Sequence, residues 1–313
     1  MEKIKFILPV FGFVLLFGVG NANAQSESDS TGLPGDYFSL YGALEMFKKS
    51  ASIEDFETSI NTKDNSVNNL DLDGDGNVDY VSVIDQHEND NHAFVLQVAV
   101  SEKESQDIAI IELEKTGDDS AVLQIIGDED IYGETIFVEA SDGHEENYDS
   151  EVYPYTQTPD VDANNRPATD LVVVNVWTWP TVRYVYGPRY TPWISPWHWR
   201  AYPGWYRPWR PLSWHVFHPL HFRYHHVGFR TVRTHRVVTA HRVYAPHRVG
   251  SVTVRTAHTT NLTHYRTTKT TRKATVVGPK GNEYNVKKST TKVKGRDGQV
   301  KAKKTTVKVR KKN

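Results

Sequence analysis

The residues best equipped for chemistry lie in one short stretch, Asp71-Leu-Asp73-Gly-Asp75-Gly-Asn77-Val-Asp79. Hard divalent cations such as Ca²⁺ take six to eight oxygen ligands, and alternating carboxylates on a tightly turning backbone supply them. Asp71, Asp73 and Asp75 would each offer a carboxylate, and Gly76 the sharp turn. Asn77 would add its carbonyl and Asp79 a late carboxylate, while Val78 points inward. The spacing predicts a bound Ca²⁺ as a structural cofactor. The plain alternative is a solvated turn, since Asp and Gly are turn formers in any case. Four crowded carboxylates favour the metal, which neutralises them and so stabilises the fold around it.

A second candidate is the histidine-rich stretch 215–264, which holds most of the chain's 14 histidines. His215, His218, His221, His225 and His226 could offer imidazoles to Zn, Cu or Ni. The chain has no cysteine, and arginines interleave with these histidines. Structural zinc sites use four ligands at defined spacing, often with cysteine. The His-Arg pairs at 235–236, 241–242 and 247–248 read as a basic surface tract.

A third candidate is aromatic. All eight tryptophans fall between Trp177 and Trp214, among repeated Pro-Trp pairs. Trp193, Trp197, Trp199, Arg200, Arg207, Trp209 and Arg210 form a candidate polymer-binding set. Rings can stack on sugars or sit at a membrane interface, and arginines can stack on the rings. The competing reading is that the rings pack on one another and on the acidic domain.

No enzyme signature is present. The chain has no Gly-x-Ser-x-Gly elbow, no His-Glu-x-x-His and no phosphate-binding glycine loop leading into a helix. Glu112 and Glu114 sit on one side of a strand-like alternation, the usual pattern of a solvated face. A non-enzymatic protein is expected.

The elements that must position these groups are legible in the first half. Residues 36–140 read as an acidic α+β domain. Ser39 caps a helix whose Leu40, Ala43, Leu44 and Phe47 share a face, and Ser52 with Asp55 opens a second. After the aspartate loop the period changes. Tyr80–Ile84, Ala93–Val100, Ile108–Leu113, Ala121–Ile126 and Thr135–Val138 read as strands joined by short turns, an antiparallel meander. Residues 25–35 read as a disordered start and 141–170 as an acidic linker. In 171–214 the prolines argue against helix and for irregular extended turns. Residues 265–313 repeat a Gly-x-x-Gly turn, Gly278–Gly281 and Gly295–Gly298, each followed by Lys-Lys-Ser/Thr-Thr. They read as a weak β-ribbon or a disordered basic tail.

Residues 1–24 have the pattern of an export signal: Lys3 and Lys5, an apolar run Phe6–Val19, then Ala22-Asn-Ala24. No later run is long and apolar enough to span a membrane. Net charge is −1, but it is unevenly placed. Residues 25–170 hold 35 Asp and Glu against six Lys and Arg, whereas 171–313 hold 29 Lys and Arg against two acids. Such asymmetry speaks of partners: anionic polymers for the basic half, or self-association of the opposite halves. No nucleic-acid-binding signature accompanies the basic residues.

The loop 71–79 resembles the Asp-x-Asp-x-Asp-Gly-x-x-Asp calcium loops of FG-GAP-type extracellular repeats, which bridge strands. An EF-hand would need a glutamate where Ser82 stands, and a helix where β-like sequence follows. Asn69–Tyr80, Ala121–Tyr132 and Pro192–Trp199 carry a further resemblance, to uncharacterised exported proteins of Bacteroidetes-type bacteria. It implies export to the periplasm or outer surface of a Gram-negative cell and transfers no catalytic residue. The expectation is an exported envelope protein with a calcium-stabilised acidic domain and an aromatic, basic region that binds anionic surface polymers or glycans. The alternative is a transition-metal-binding periplasmic protein that uses the His-rich segment.

Overall fold

Ser39 accepts the Gly42 amide at 3.0 Å and so starts helix α1 (Leu40–Lys49). Ser52 accepts from Asp55 N, while the Asp55 carboxylate accepts from Ala51 N, a reciprocal cap on helix α2 (Ile53–Ile60). The computed structural model describes residues 30–141, 173–226, 228–232, 234–277, 283–294 and 300–311. The export stretch, almost all of the acidic linker and both Gly-x-x-Gly turns lie outside the described residues.

Strands β1 (Val81–Glu88), β2 (Asn91–Ala99), β3 (Ser105–Gly117), β4 (Ser120–Gly127) and β5 (Ile136–Ala140) form the expected antiparallel meander. The short helix α3 (Glu129–Tyr132) bridges β4 and β5. A sixth strand, β6 (Phe229–Val232), pairs with β5 and comes from the basic half of the chain. The opposite edge is covered too. Asp85 N donates to Trp193 O at 2.7 Å and Ser195 N to Val83 O at 3.0 Å, so residues 193–195 run along β1. Both borders of the β1–β5 meander are therefore paired by residues of the second half, with β6 the new outer strand, which shortens the open edge that could pair with other chains.

The alternation of each strand splits the sheet into two faces. One face sends Val83, Phe94, Leu96, Ile111, Leu113, Leu123, Ile125 and Val138 against α1 and α2. Val176, Trp179, Val182, Val185, Tyr224 and Val254 join the same core. The aromatic segment is thus part of one hydrophobic core with the acidic half, not a module beyond a linker. Helix α4 (Pro180–Val185) starts on Pro180, contrary to the expectation that proline bars helix there. A first-turn amide has no helical partner, so proline loses nothing at that position. Between α4 and α5 the segment is irregular, with turns and two isolated bridges, Ile84 to Ile194 and His198 to Ala201.

The other face carries a small apolar patch, Ala93, Val95, Ile110 and Ile126, closed by Tyr244 of helix α6 (Val238–Tyr244). Helix α5 (Trp214–Phe222) precedes β6, and helix α7 (Val252–Thr268) follows α6. The start is also more ordered than its composition suggests. Asp36 accepts from Ser30 Oγ, Thr31 Oγ1 and Gly32 N, and Leu33, Pro34 and Gly35 are buried. A separate three-stranded antiparallel sheet ends the chain: β7 (Lys269–Val277), β8 (Glu283–Lys294) and β9 (Val300–Lys311).

Candidate functional site

The aspartate loop hangs between α2 and β1 and is held at its base. Asp79 N donates to Leu70 O, Asn68 Nδ2 to Asp79 O, and Val78 N to Trp209 O. Tyr206 donates its hydroxyl to Val78 O at 2.7 Å, so the aromatic segment fixes the loop from the far side. Gly74 and Gly76 have φ of 72° and 84°, left-handed backbone in which a side chain would be strained.

The structure gathers three of the four expected carboxylates. Carboxylate oxygens of Asp71, Asp73 and Asp79 lie within 4.8 Å of one another. Asp75 is not in that group. Asp75 Oδ1 turns back to accept from Asn77 N and Asn77 Nδ2. Asp71 Oδ2 accepts from Gly76 N, while its Oδ1 is shielded from solvent without a hydrogen bond. Burial, then repulsion from Asp73, Asp71 and Asp75, pushes the Asp79 carboxyl up to about 8. Burial raises Asp73 as well, despite the hydrogen bond from Asp75 N. Such a group is electrostatically short of one cation. Ser82, where an EF-hand would need glutamate, is in β1 and donates to Gln97 O.

Among the described residues, His215, His218, His221 and His225, four of the five histidines expected as a transition-metal set, do not bring three ring nitrogens within 4.8 Å of one another. His215, His218 and His221 lie on α5, and His225 and His226 on the turn after it. His221 is fully buried, and neither ring nitrogen has a hydrogen-bond partner. Its ring packs among Trp214, Phe217, His218 and His225. Burial drives it well below its ordinary pKa, so it is a neutral filler of the core.

The aromatic set divides in two. Trp193 is structural: its Nε1 donates to Glu57 at 3.0 Å. Glu57, 1% exposed, also accepts from Ser195 Oγ, Tyr80 Oη and Val83 N. Arg207 is bound to the carbonyls of Gly204 and Tyr206. Trp209 packs beside Tyr206, and Arg210 is exposed. Trp197, His198, Trp199 and Tyr202 instead line a small groove with Asp79, Tyr80, Ser82 and Ala99. Arg200 lies over the Trp199 ring at 5.0 Å.

A cluster that the sequence does not announce sits on the second face of the sheet. Glu112, expected at a solvated surface, is 0% exposed. Its Oε2 is 2.6 Å from His235 Nε2 and its Oε1 is 2.6 Å from His241 Nδ1. Glu114 is likewise engaged, accepting from Thr239 N and Ala240 N at the start of α6. The hydrogen bond to Glu112 raises the His241 imidazole above its ordinary pKa. Around this cluster the same face pairs Glu139 with Arg230 and Arg236. Tyr244 reaches Asp107. On α3 and the turn before it, Asp128 and Asp130 take Arg248, and Asp130 also takes Arg255.

Among the described residues no helix is long and apolar enough to cross a membrane. Comparison of the chain with protein-family models, with curated proteins and with solved structures finds no match in any of the three.

Proposed function

We propose that the protein is an exported, non-enzymatic envelope protein whose acidic sheet is stabilised by Ca²⁺ and whose terminal basic ribbon binds anionic surface polymers. The observation that carries this reading is the strand register of β7–β9. It sets Arg272 opposite Lys288, Lys273 opposite Lys287, and Lys292 opposite Lys303. Like charges directly opposite one another destabilise a sheet. The three strands hold 13 Lys and Arg against one acid, Glu283. A polyanion with closely spaced charges supplies the compensation that the ribbon's own sequence lacks. Lys288, Lys292 and Arg310 are exposed to meet it. The calcium half of the reading rests on Asp71, Asp73 and Asp79, whose crowded carboxylates match an oxygen-seeking cation.

The test compares the mature chain with one ending at Thr268, against lipopolysaccharide and heparin at low and high salt. Binding should need residues 269–313 and should weaken roughly tenfold or more per few-fold rise in salt, as counterion-releasing contacts do. Equal affinity at both salts, or full binding without the ribbon, contradicts the assignment.

A further inference from the structure

Glu112 lies mid-strand in β3, fully buried, where an uncompensated carboxylate would cost several kcal/mol. What meets it is two imidazoles, each 2.6 Å from a different carboxylate oxygen. The two rings stand 4.7 Å apart at 89°, and Phe137 stacks on the His235 ring. Both histidines are fixed through their backbones. Gln124 Oε1 accepts from Arg236 N at 2.6 Å, and Gln124 Nε2 donates to Thr234 O. Glu114 holds the first turn of α6, which carries His241. Ligands on supports locked this way are pre-organised for a shared target.

We propose that Glu112, His235 and His241 form a binding site for a divalent transition metal, with Zn²⁺ the best match. One carboxylate oxygen and two imidazole nitrogens within 4.8 Å of one another make a three-ligand set with a fourth position left for water or a further ligand. Calcium prefers all-oxygen cages, so the imidazoles separate this site in chemistry from the aspartate loop. Zinc bonds of about 2.0–2.2 Å in tetrahedral geometry place ligand atoms roughly 3.3 Å apart. The observed 2.6 Å contacts therefore open by less than an ångström to admit the ion. The side chains of His235 and His241 are 21% and 38% exposed, which leaves an entry path from solvent while Glu112 stays buried.

The test uses the full mature chain, stripped with chelator and titrated with Zn²⁺ in excess Ca²⁺, which occupies the aspartate loop. One saturable zinc site is expected. His235→Gln and His241→Asn, each able to keep an amide N–H toward Glu112, should weaken it by more than the roughly 10–100-fold that losing an outer partner of a metal costs. Co²⁺ in place of Zn²⁺ should give intense visible bands that both variants lose. Absence of a saturable site in the wild type, or unchanged affinity in both variants, overturns the proposal. Should the variants fail to fold, zinc-edge anomalous diffraction from wild-type crystals decides. A peak between Glu112 and the two imidazoles supports the site, and a peak only elsewhere overturns it.

Discussion

The basic half of the chain contains two regions of the same sign of charge and opposite circumstance. Between Arg230 and Arg255, cations and imidazoles face acids of the first half: Arg230 and Arg236 with Glu139, His235 and His241 with Glu112, Arg248 and Arg255 with Asp130. In β7–β9, lysines and arginines face one another across the strands. The sign of the charge does not separate these regions. What separates them is whether a carboxylate lies on the opposing surface at a fixed distance. The charge asymmetry is thus answered by ion pairs of residues between Arg230 and Arg255, whereas the sequence of β7–β9 supplies one acid for 13 cations.

The largest expected effect is that of Glu57→Ala, at the contact between the acidic half and residues 193–195 of the basic half. It leaves the Trp193, Tyr80, Ser195 and Val83 donors without their shared acceptor. At about 1–3 kcal/mol for each unsatisfied buried group, with partial relief by water, a loss of about 3–5 kcal/mol is expected in urea unfolding of the full chain. A loss under about 1 kcal/mol would mean that the carboxylate does not hold residues 193–195 on β1.

Removal of calcium comes next. At about 100 times the dissociation constant, a bound ion contributes about 2.7 kcal/mol. That corresponds to roughly 5–10 °C in melting temperature for a fold of this size. Chelation should lower the melting point of the wild type by that amount and leave Asp73→Asn unmoved. A wild type indifferent to chelator would make the loop an ordinary turn.

The smallest effect comes from removing Asp36, a buried acid with hydroxyl and amide partners. Burial raises Asp36 from 3.8 to about 6, against the hydrogen bonds from Ser30, Thr31 and Gly32. The folded state therefore binds its proton more tightly than the unfolded chain does. The associated stability is complete below about pH 4 and is lost as pH rises through about 6. Wild type should lose about 2–3 kcal/mol across that window relative to Asp36→Asn. Parallel pH profiles for the two proteins would contradict the assignment.

Legibility from sequence followed distance along the chain. Ser39 and Ser52 sit within three residues of the amides they cap, and the meander strands alternate visibly, so those elements could be read directly. The aspartate loop is equally local, although the turn of Asp75 back onto Asn77 did not follow from spacing. Glu112 and His235 are 123 residues apart, and strand alternation alone marks Glu112 as solvated. Only the arrival of α6 and residues 234–237 on that face makes it buried. The same holds for β6, whose Phe229–Val232 becomes a strand because β5 offers it an edge.

That pairing of both meander borders sets an order on folding. The strands β1–β5 are all made before residue 141, yet the segments that flank them, 193–195 and 229–232, come later. A chain emerging from its N-terminus during synthesis therefore presents a five-stranded sheet with two bare borders until the second half follows. Long-range closure of this kind slows folding and prolongs exposure of unpaired backbone. The first half released alone would be a sticky intermediate, and the second half is in effect its built-in chaperone.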